Sequence, residues 1–215
     1  MAHETEFKFQ VRSPQVFDQI RSLTQVAGYK LTDQKMILQR DTYFDTPTGL
    51  LSQQGISLRL REKQGQYLVA FKSQINGTYV RREIETQITE SQAQDLFNGS
   101  FADIHADAIQ AIVSNIGAQT LAPVLHVENR REVWHINSES GRIEICFDDV
   151  QYTPAAGGQC QFVTEYELEL ELKEGEDTFL QEIAQALSQQ YELIPYSQSK
   201  YERGVMLLNV FTPTG

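Results

Sequence analysis

Apolar and polar residues alternate along much of the chain, the pattern of strands with one face buried and one face open. Eight segments carry it and are rich in Val, Ile, Phe, Tyr and Thr: 3–12, 35–44, 56–63, 66–74, 79–88, 124–137, 141–151 and 161–173. In five of them the polar positions are charged. Glu4, Glu6 and Lys8 oppose Phe7, Phe9 and Val11 in the first, and Arg59 and Arg61 oppose Leu58 and Leu60 in the third. Glu83 and Glu85 oppose Ile84 and Ile88 in the fifth, and Glu144 and Asp148 oppose Ile143, Ile145 and Phe147 in the seventh. The eighth sets Glu165, Glu167, Glu169 and Glu171 against Tyr166, Leu168, Leu170 and Leu172. Asn76-Gly77 is a strong hairpin signal and Gln64-Gly65 and Ser140-Gly141 weaker ones, so the sheet is expected to be largely antiparallel.

Helical spacing fills the gaps. Ser13 and Pro14 have N-cap and N1 chemistry, Phe17, Ile20, Leu23 and Ala27 follow on one stripe, and Gly28 can end the run. Further helices are expected over 90–98, 102–116, 178–190 and 199–209; Ile104, Ala108, Ile109, Ile112, Val113 and Ile116 form a core-facing stripe on the second of these. No repeat, low-complexity tract or linker divides the chain, which makes residues 1–215 a single expected domain.

Charge narrows the partners. Eighteen Lys and Arg stand against 29 Asp and Glu, a formal net charge of -11, which disfavours nucleic acid and anionic membrane. An anionic ligand would need a local basic site. Cys146 and Cys160 cannot form a disulfide framework, and the N-terminus lacks the apolar stretch of a signal peptide; a soluble cytoplasmic protein is expected. His3, His105, His126 and His135 form no zinc motif, and there is no P-loop, G-x-G-x-x-G or G-x-S-x-G string.

Alternation alone fits the water-facing side of an ordinary half-buried sheet, but two features point toward a ligand. Four glutamates at every second position of one strand sit about 6.8 Å apart and repel by roughly 2.4 kcal/mol per neighbouring pair at an effective dielectric near 20. A bound cation would cancel this. The signs are also sorted by strand, with Arg59, Arg61 and Lys72 on neighbouring strands and carboxylates concentrated on the first, fifth, seventh and eighth. Eight strands closed with these faces inward would form a barrel with a polar lumen and helices packed outside, an α+β fold. Carboxylate oxygens suit Mg²⁺ or Mn²⁺, and arginine forks suit phosphate.

In order along the chain stand Glu4-Thr5-Glu6-Phe7-Lys8, Tyr43-Phe44-Asp45-Thr46-Pro47, Gly55 through Arg61, Lys72, Glu83-Ile84-Glu85, Arg131 through Trp134, Glu144 through Asp148, Glu167 through Glu171 and Ser199-Lys200. This set resembles the CYTH superfamily, also called triphosphate tunnel metalloenzymes. The likeness is greatest to the N-terminal domain of bacterial inorganic triphosphatases with a helical CHAD domain downstream, so such a domain in a longer parent chain is an expectation. The resemblance implies an eight-stranded antiparallel tunnel that hydrolyses inorganic triphosphate, or another triphosphate-bearing small molecule, with Mg²⁺ or Mn²⁺.

Carried over residue by residue, Glu4, Glu6, Asp148, Glu167 and Glu169 would surround the metal, with the direct ligands left open. Lys8, Arg59, Arg61, Lys72, Arg131 and Lys200 would bind phosphate oxygens. Glu83 and Glu85 would be metal-side or water-orienting groups, and Lys8 and Lys200 would also orient or neutralise the leaving phosphate. One departure stands out: where many relatives have Lys-x-Arg, this chain has Asn129, Arg130 and Arg131. Class IV adenylate cyclase, thiamine triphosphatase and a non-catalytic polyphosphate-binding module remain alternatives.

Overall fold

A computed structural model describes residues 5–74, 81–101, 104, 106–116, 119–156 and 161–211. The long strands are β1 (Thr5–Val11), β4 (Thr32–Asp45), β5 (Ile56–Lys63), β6 (Gln66–Gln74), β7 (Arg81–Ile88), β8 (Ala122–Ser138), β9 (Gly141–Pro154) and β10 (Val163–Gly175). Two-residue strands add β2 (Gln25–Val26), β3 (Tyr29–Lys30) and β11 (Ile194–Pro195). The helices are α1 (Pro14–Arg21), α2 (Leu50–Gln53), α3 (Glu90–Phe97), α4 (Asp107–Ile116), α5 (Asp177–Gln190) and α6 (Lys200–Leu208).

The main sheet has nine strands in the order β11-β1-β10-β9-β8-β4-β5-β6-β7, and β2 and β3 form a separate ribbon. The expectation of eight strands is therefore corrected to nine: β11 adds a short rung beside β1, where Phe9 faces Pro195 and Gln10 faces Ile194. A two-residue strand carries no periodicity that a sequence pattern could register. The pairings among described residues run linearly from β11 to β7 and do not include the expected ring closure.

α1 also stops earlier than its apolar stripe suggests. Ser13 caps it through Val16 N, and Phe17 and Ile20 are buried, but the chain leaves the helix at Ser22. Ala27 and Gly28 both take positive φ, 51° and 85°, the geometry of a two-residue hairpin turn joining β2 to β3. Turn chemistry thus overrides helical spacing at Ala27. The expected Asn76-Gly77 turn and the start of the 102–116 helix include positions outside the described residues.

The chain divides into two compact units. The first comprises Met1–Leu38, Asn129–Gln151 and Thr164–Ser197; the second comprises Gln39–Glu128, Tyr152–Val163 and Gln198–Gly215. In the first, α1 and α5 set Phe17, Ile20, Phe179, Leu180 and Ile183 against Phe9, Ile145, Phe147, Leu168 and Leu170 of the sheet. In the second, Leu51 of α2, Leu96 of α3, and Ile109 and Ile112 of α4 pack on Phe44, Leu58, Leu60, Val69 and Phe71. Each such side chain contributes roughly 1.5–3 kcal/mol by leaving water. With one face of each sheet segment fixed by this burial, period-2 alternation sends the charged residues to the other.

Candidate functional site

The charged face of the first unit is built by β1, β8, β9 and β10. Antiparallel register places Glu6 opposite Glu171, Lys8 opposite Glu169 and Gln10 opposite Glu167. Asp148 is fully buried and Glu167 nearly so. One oxygen each from Asp148, Glu167 and Glu169 falls within a group no wider than 4.8 Å.

Arg131 closes on this group. Its Nε donates to Asp148 Oδ1 at 2.7 Å and its Nη2 to Asp148 Oδ2 at 2.6 Å, while Nη2 also donates to Glu169 Oε2. Burial opposes the guanidinium's charge, but Asp148 and Glu169 outweigh it and hold its pKa well above the usual value. Lys8 Nζ lies 3.2 Å from Glu6 and 3.7 Å from Glu169.

The repulsion expected along β10 is thus relieved in part by the chain itself. Gln10 donates to Glu165 at 2.8 Å, and Lys173 lies 2.6 Å from Glu171. Burial disfavours charge on Lys173, yet Glu171 and Glu144 raise its pKa. At the central cluster three carboxylates converge, with Arg131 bridging two of them and Lys8 near Glu169. An all-oxygen donor set with surplus negative charge fits a hard divalent cation such as Mg²⁺ or Mn²⁺. Cys146 Sγ donates to Glu144 Oε1 at 3.4 Å, and burial pushes its thiol pKa up, which makes it inert.

The charged face of the second unit sets Arg59, Arg61 and Lys72 among Asp41, Glu83 and Glu85. Register aligns Asp41 with Arg61, Tyr43 with Arg59, Ala70 with Glu85 and Lys72 with Glu83. Arg61 forks onto Asp41, Nε to Oδ1 at 2.7 Å and Nη2 to Oδ2 at 2.6 Å. Lys72 Nζ lies 3.0 Å from Glu83. Arg59 is held loosely, 3.4 Å from Glu85, 3.8 Å from Glu83 and 3.9 Å from Asp41, and its buried Nε has no partner among the described residues. An orphaned guanidinium donor is suited to an incoming oxyanion.

Lys200 opens α6, whose N-terminus is fixed by a capping box between Ser199 and Glu202. Burial and then Asp41 raise the Tyr43 pKa, while Arg59, Arg61 and Lys200 lower it, which places the Lys200 charge in the same local field as the arginines. Tyr43 stacks on Tyr201 at 4.9 Å. The Tyr201 hydroxyl donates at 2.8 Å to buried Asp45, which also accepts from the backbone N–H groups of Thr46, Leu51 and Ser52. Burial, then Asp45, raises the Tyr201 pKa. Further along α6, a Cβ on Gly204 would lie 2.5 Å from Leu125 Cδ2 and 2.8 Å from Tyr152 Cδ1, so glycine permits this close packing.

The structure brings Glu6, Lys8, Arg131, Asp148, Glu167 and Glu169 together in the first unit, and Arg59, Arg61, Lys72, Glu83, Glu85 and Lys200 lie in the second. Glu4 is outside the described residues. Some cross-strand neighbours pair opposite charges, Lys8 with Glu169, Asp41 with Arg61 and Lys72 with Glu83, whereas Glu6 faces Glu171. Sequence reading passed over Asp41 and Tyr201, and took Asp45 only as part of the Tyr43–Pro47 motif without a role. The parity shared by Asp41, Tyr43 and Asp45 was an available signal, whereas the Tyr201–Asp45 bond joins residues 156 positions apart and has no local signature.

Among the described residues, no helix is long and apolar enough to cross a membrane. The chain is similar to an inorganic triphosphatase from Haemophilus influenzae, with 24% identity over 210 residues covering 96% of this chain and 55% of the relative. It thus spans about half the length of that curated relative. Among solved structures, a Bacillus halodurans protein whose name gives adenylate cyclase as a candidate activity has a TM-score of 0.66 at 20% identity, covering 93% of this chain and 96% of the other. A Hippeastrum protein, named for a candidate adenylyl cyclase activity and for a dominant triphosphatase activity, has a TM-score of 0.65 at 17% identity, with 98% of both chains covered. The CYTH domain family model matches residues 2–205, and the chain belongs to that family.

Proposed function

We propose that the protein hydrolyses inorganic triphosphate to pyrophosphate and phosphate. The convergence of Asp148, Glu167 and Glu169 carries the reading, because three carboxylates clustered within 4.8 Å suit a divalent cation. These residues, with Glu6 of β1 and with Glu4, would hold Mg²⁺ or Mn²⁺. When bound, such an ion supplies Lewis acidity toward a phosphate oxygen and lowers the pKa of an attacking water.

The remaining work belongs to the side chains. Arg59, Arg61, Lys72 and Lys200 bind non-bridging oxygens and neutralise charge as the terminal P–O bond breaks. Lys8 and Arg131 do the same beside the carboxylates. Glu83 and Glu85 orient water. Water adds to the terminal phosphorus, pyrophosphate leaves, and no side-chain nucleophile is needed. The similarity to the Haemophilus influenzae triphosphatase supports this substrate.

Incubation with inorganic triphosphate, ATP or thiamine triphosphate, each with Mg²⁺ or Mn²⁺, tests the reading. Release of phosphate from inorganic triphosphate in preference to the others is expected. Cyclic AMP and pyrophosphate from ATP would instead favour a cyclase, the activity named for the Bacillus halodurans neighbour; binding without products would leave a polyphosphate-binding module.

A further inference from the structure

We propose that Arg131 is an internal stand-in for the divalent cation: it neutralises the carboxylate cluster until metal binds, and only then is it released to phosphate. This rests on the proposed function and deepens it. Arg131 spends both Nε and Nη2 on Asp148, and Nη2 also on Glu169. Arg131 therefore already engages two of the three clustered carboxylates. A guanidinium in this fork cannot offer the same N–H groups to a phosphate, and carboxylate oxygens so occupied are poorer metal ligands.

The contrast with the neighbouring lysine sharpens the assignment. Lys8 lies 3.7 Å from Glu169, too far for a good hydrogen bond, and stays closer to Glu6. Lys173 neutralises Glu171 and approaches Glu144 but contacts none of the three clustered acids by an ion pair in the structure. Arg131 thus sits on the cluster itself, bridging Asp148 and Glu169. Exchange of Arg131 for a divalent ion places a positive charge on the acids and frees a second one for the substrate. Metal and triphosphate would then strengthen each other's binding by the same factor.

The test measures Mn²⁺ binding to the whole chain without triphosphate, by electron paramagnetic resonance of free Mn²⁺. Arg131→Gln is expected to bind Mn²⁺ about 10-fold more tightly than wild type, within the usual range for coupled sites. Lys173→Gln removes a nearby positive charge without vacating the cluster and should change affinity by less than about 3-fold on the same scale. Because Arg131→Gln leaves buried acids uncompensated, thermal unfolding is followed in parallel. Mn²⁺ should raise its midpoint more than that of wild type.

Equal or weaker Mn²⁺ binding by Arg131→Gln overturns the proposal, as does an equal gain in Lys173→Gln. Failure of wild type to release phosphate from triphosphate would sink the functional reading instead. The Mn²⁺ titration needs no turnover, so the two failures are distinguishable.

Discussion

The two units contain nearly the same ion pair in opposite surroundings. Arg131–Asp148 in the first and Arg61–Asp41 in the second are both two-point forks at 2.7 and 2.6 Å. In the first unit the neighbours are Glu167 and Glu169, leaving a surplus of negative charge. In the second the neighbour is Arg59, which shares Asp41 at 3.9 Å and keeps a buried Nε without a partner among the described residues. An isolated salt bridge therefore says little about what a face binds. Its neighbours decide: converging carboxylates suit a cation in one unit, and an unpartnered guanidinium donor suits an oxyanion in the other.

The sharpest way to break this division is kinetic. Glu167→Gln and Arg61→Ala should each lower triphosphate turnover by about 1000-fold at fixed concentrations, the upper end for loss of a preorganised electrostatic group. Raised Mn²⁺ should recover part of the Glu167→Gln loss, and raised triphosphate part of the Arg61→Ala loss. If each addition rescues the two variants to the same extent, the division is wrong.

Stability should separate the two forks next. Asp41→Asn leaves Arg61 and Arg59 without their shared acid and is expected to cost about 3 kcal/mol in urea unfolding. Asp148→Asn should cost less, since Arg131 keeps Glu169 and one surplus charge disappears. Equal losses would mean that the forks, not their neighbours, set the energetics.

A smaller effect concerns the second unit alone. Tyr201→Phe removes one donor from Asp45 but leaves three backbone donors, and should cost about 1 kcal/mol. Its Michaelis constant for triphosphate should change more than Mn²⁺ affinity, because the stacked Tyr43 adjoins Arg59 across the ladder.

The smallest effect is a pH dependence. Burial lowers the pKa of His126, whose Nδ1 lies 3.0 Å from Thr42 Oγ1. The unfolded chain therefore takes up this proton first, and stability should fall as pH drops through the usual histidine value near 6.5. His126→Gln should flatten that part of a urea-midpoint profile between about pH 7.5 and 5.5, a window set by the same reference value.

Much of the site was legible in the chain before folding. The alternation of Glu165 through Leu172, and of Leu58 through Arg61, identifies which residues leave the core, because period-2 geometry is local. The helix signals at Ser13-Pro14 and around Ser199 located two helix starts. Ala27 misled, since its apolar spacing was overruled by a turn. Asp41 was passed over because its partner, Arg61, lies on a different strand and only register joins them.

By itself, the sequence determined the faces: which side chains are charged, which are buried and which strands carry them, all consequences of neighbouring residues on one pleated backbone. Tertiary structure alone decided the pairings. Arg131 was expected at phosphate and is found on Asp148 and Glu169; Tyr201 reaches Asp45 across most of the chain. Cross-strand electrostatics depends on distances of a few ångströms, and those are fixed only when register and packing bring remote segments together.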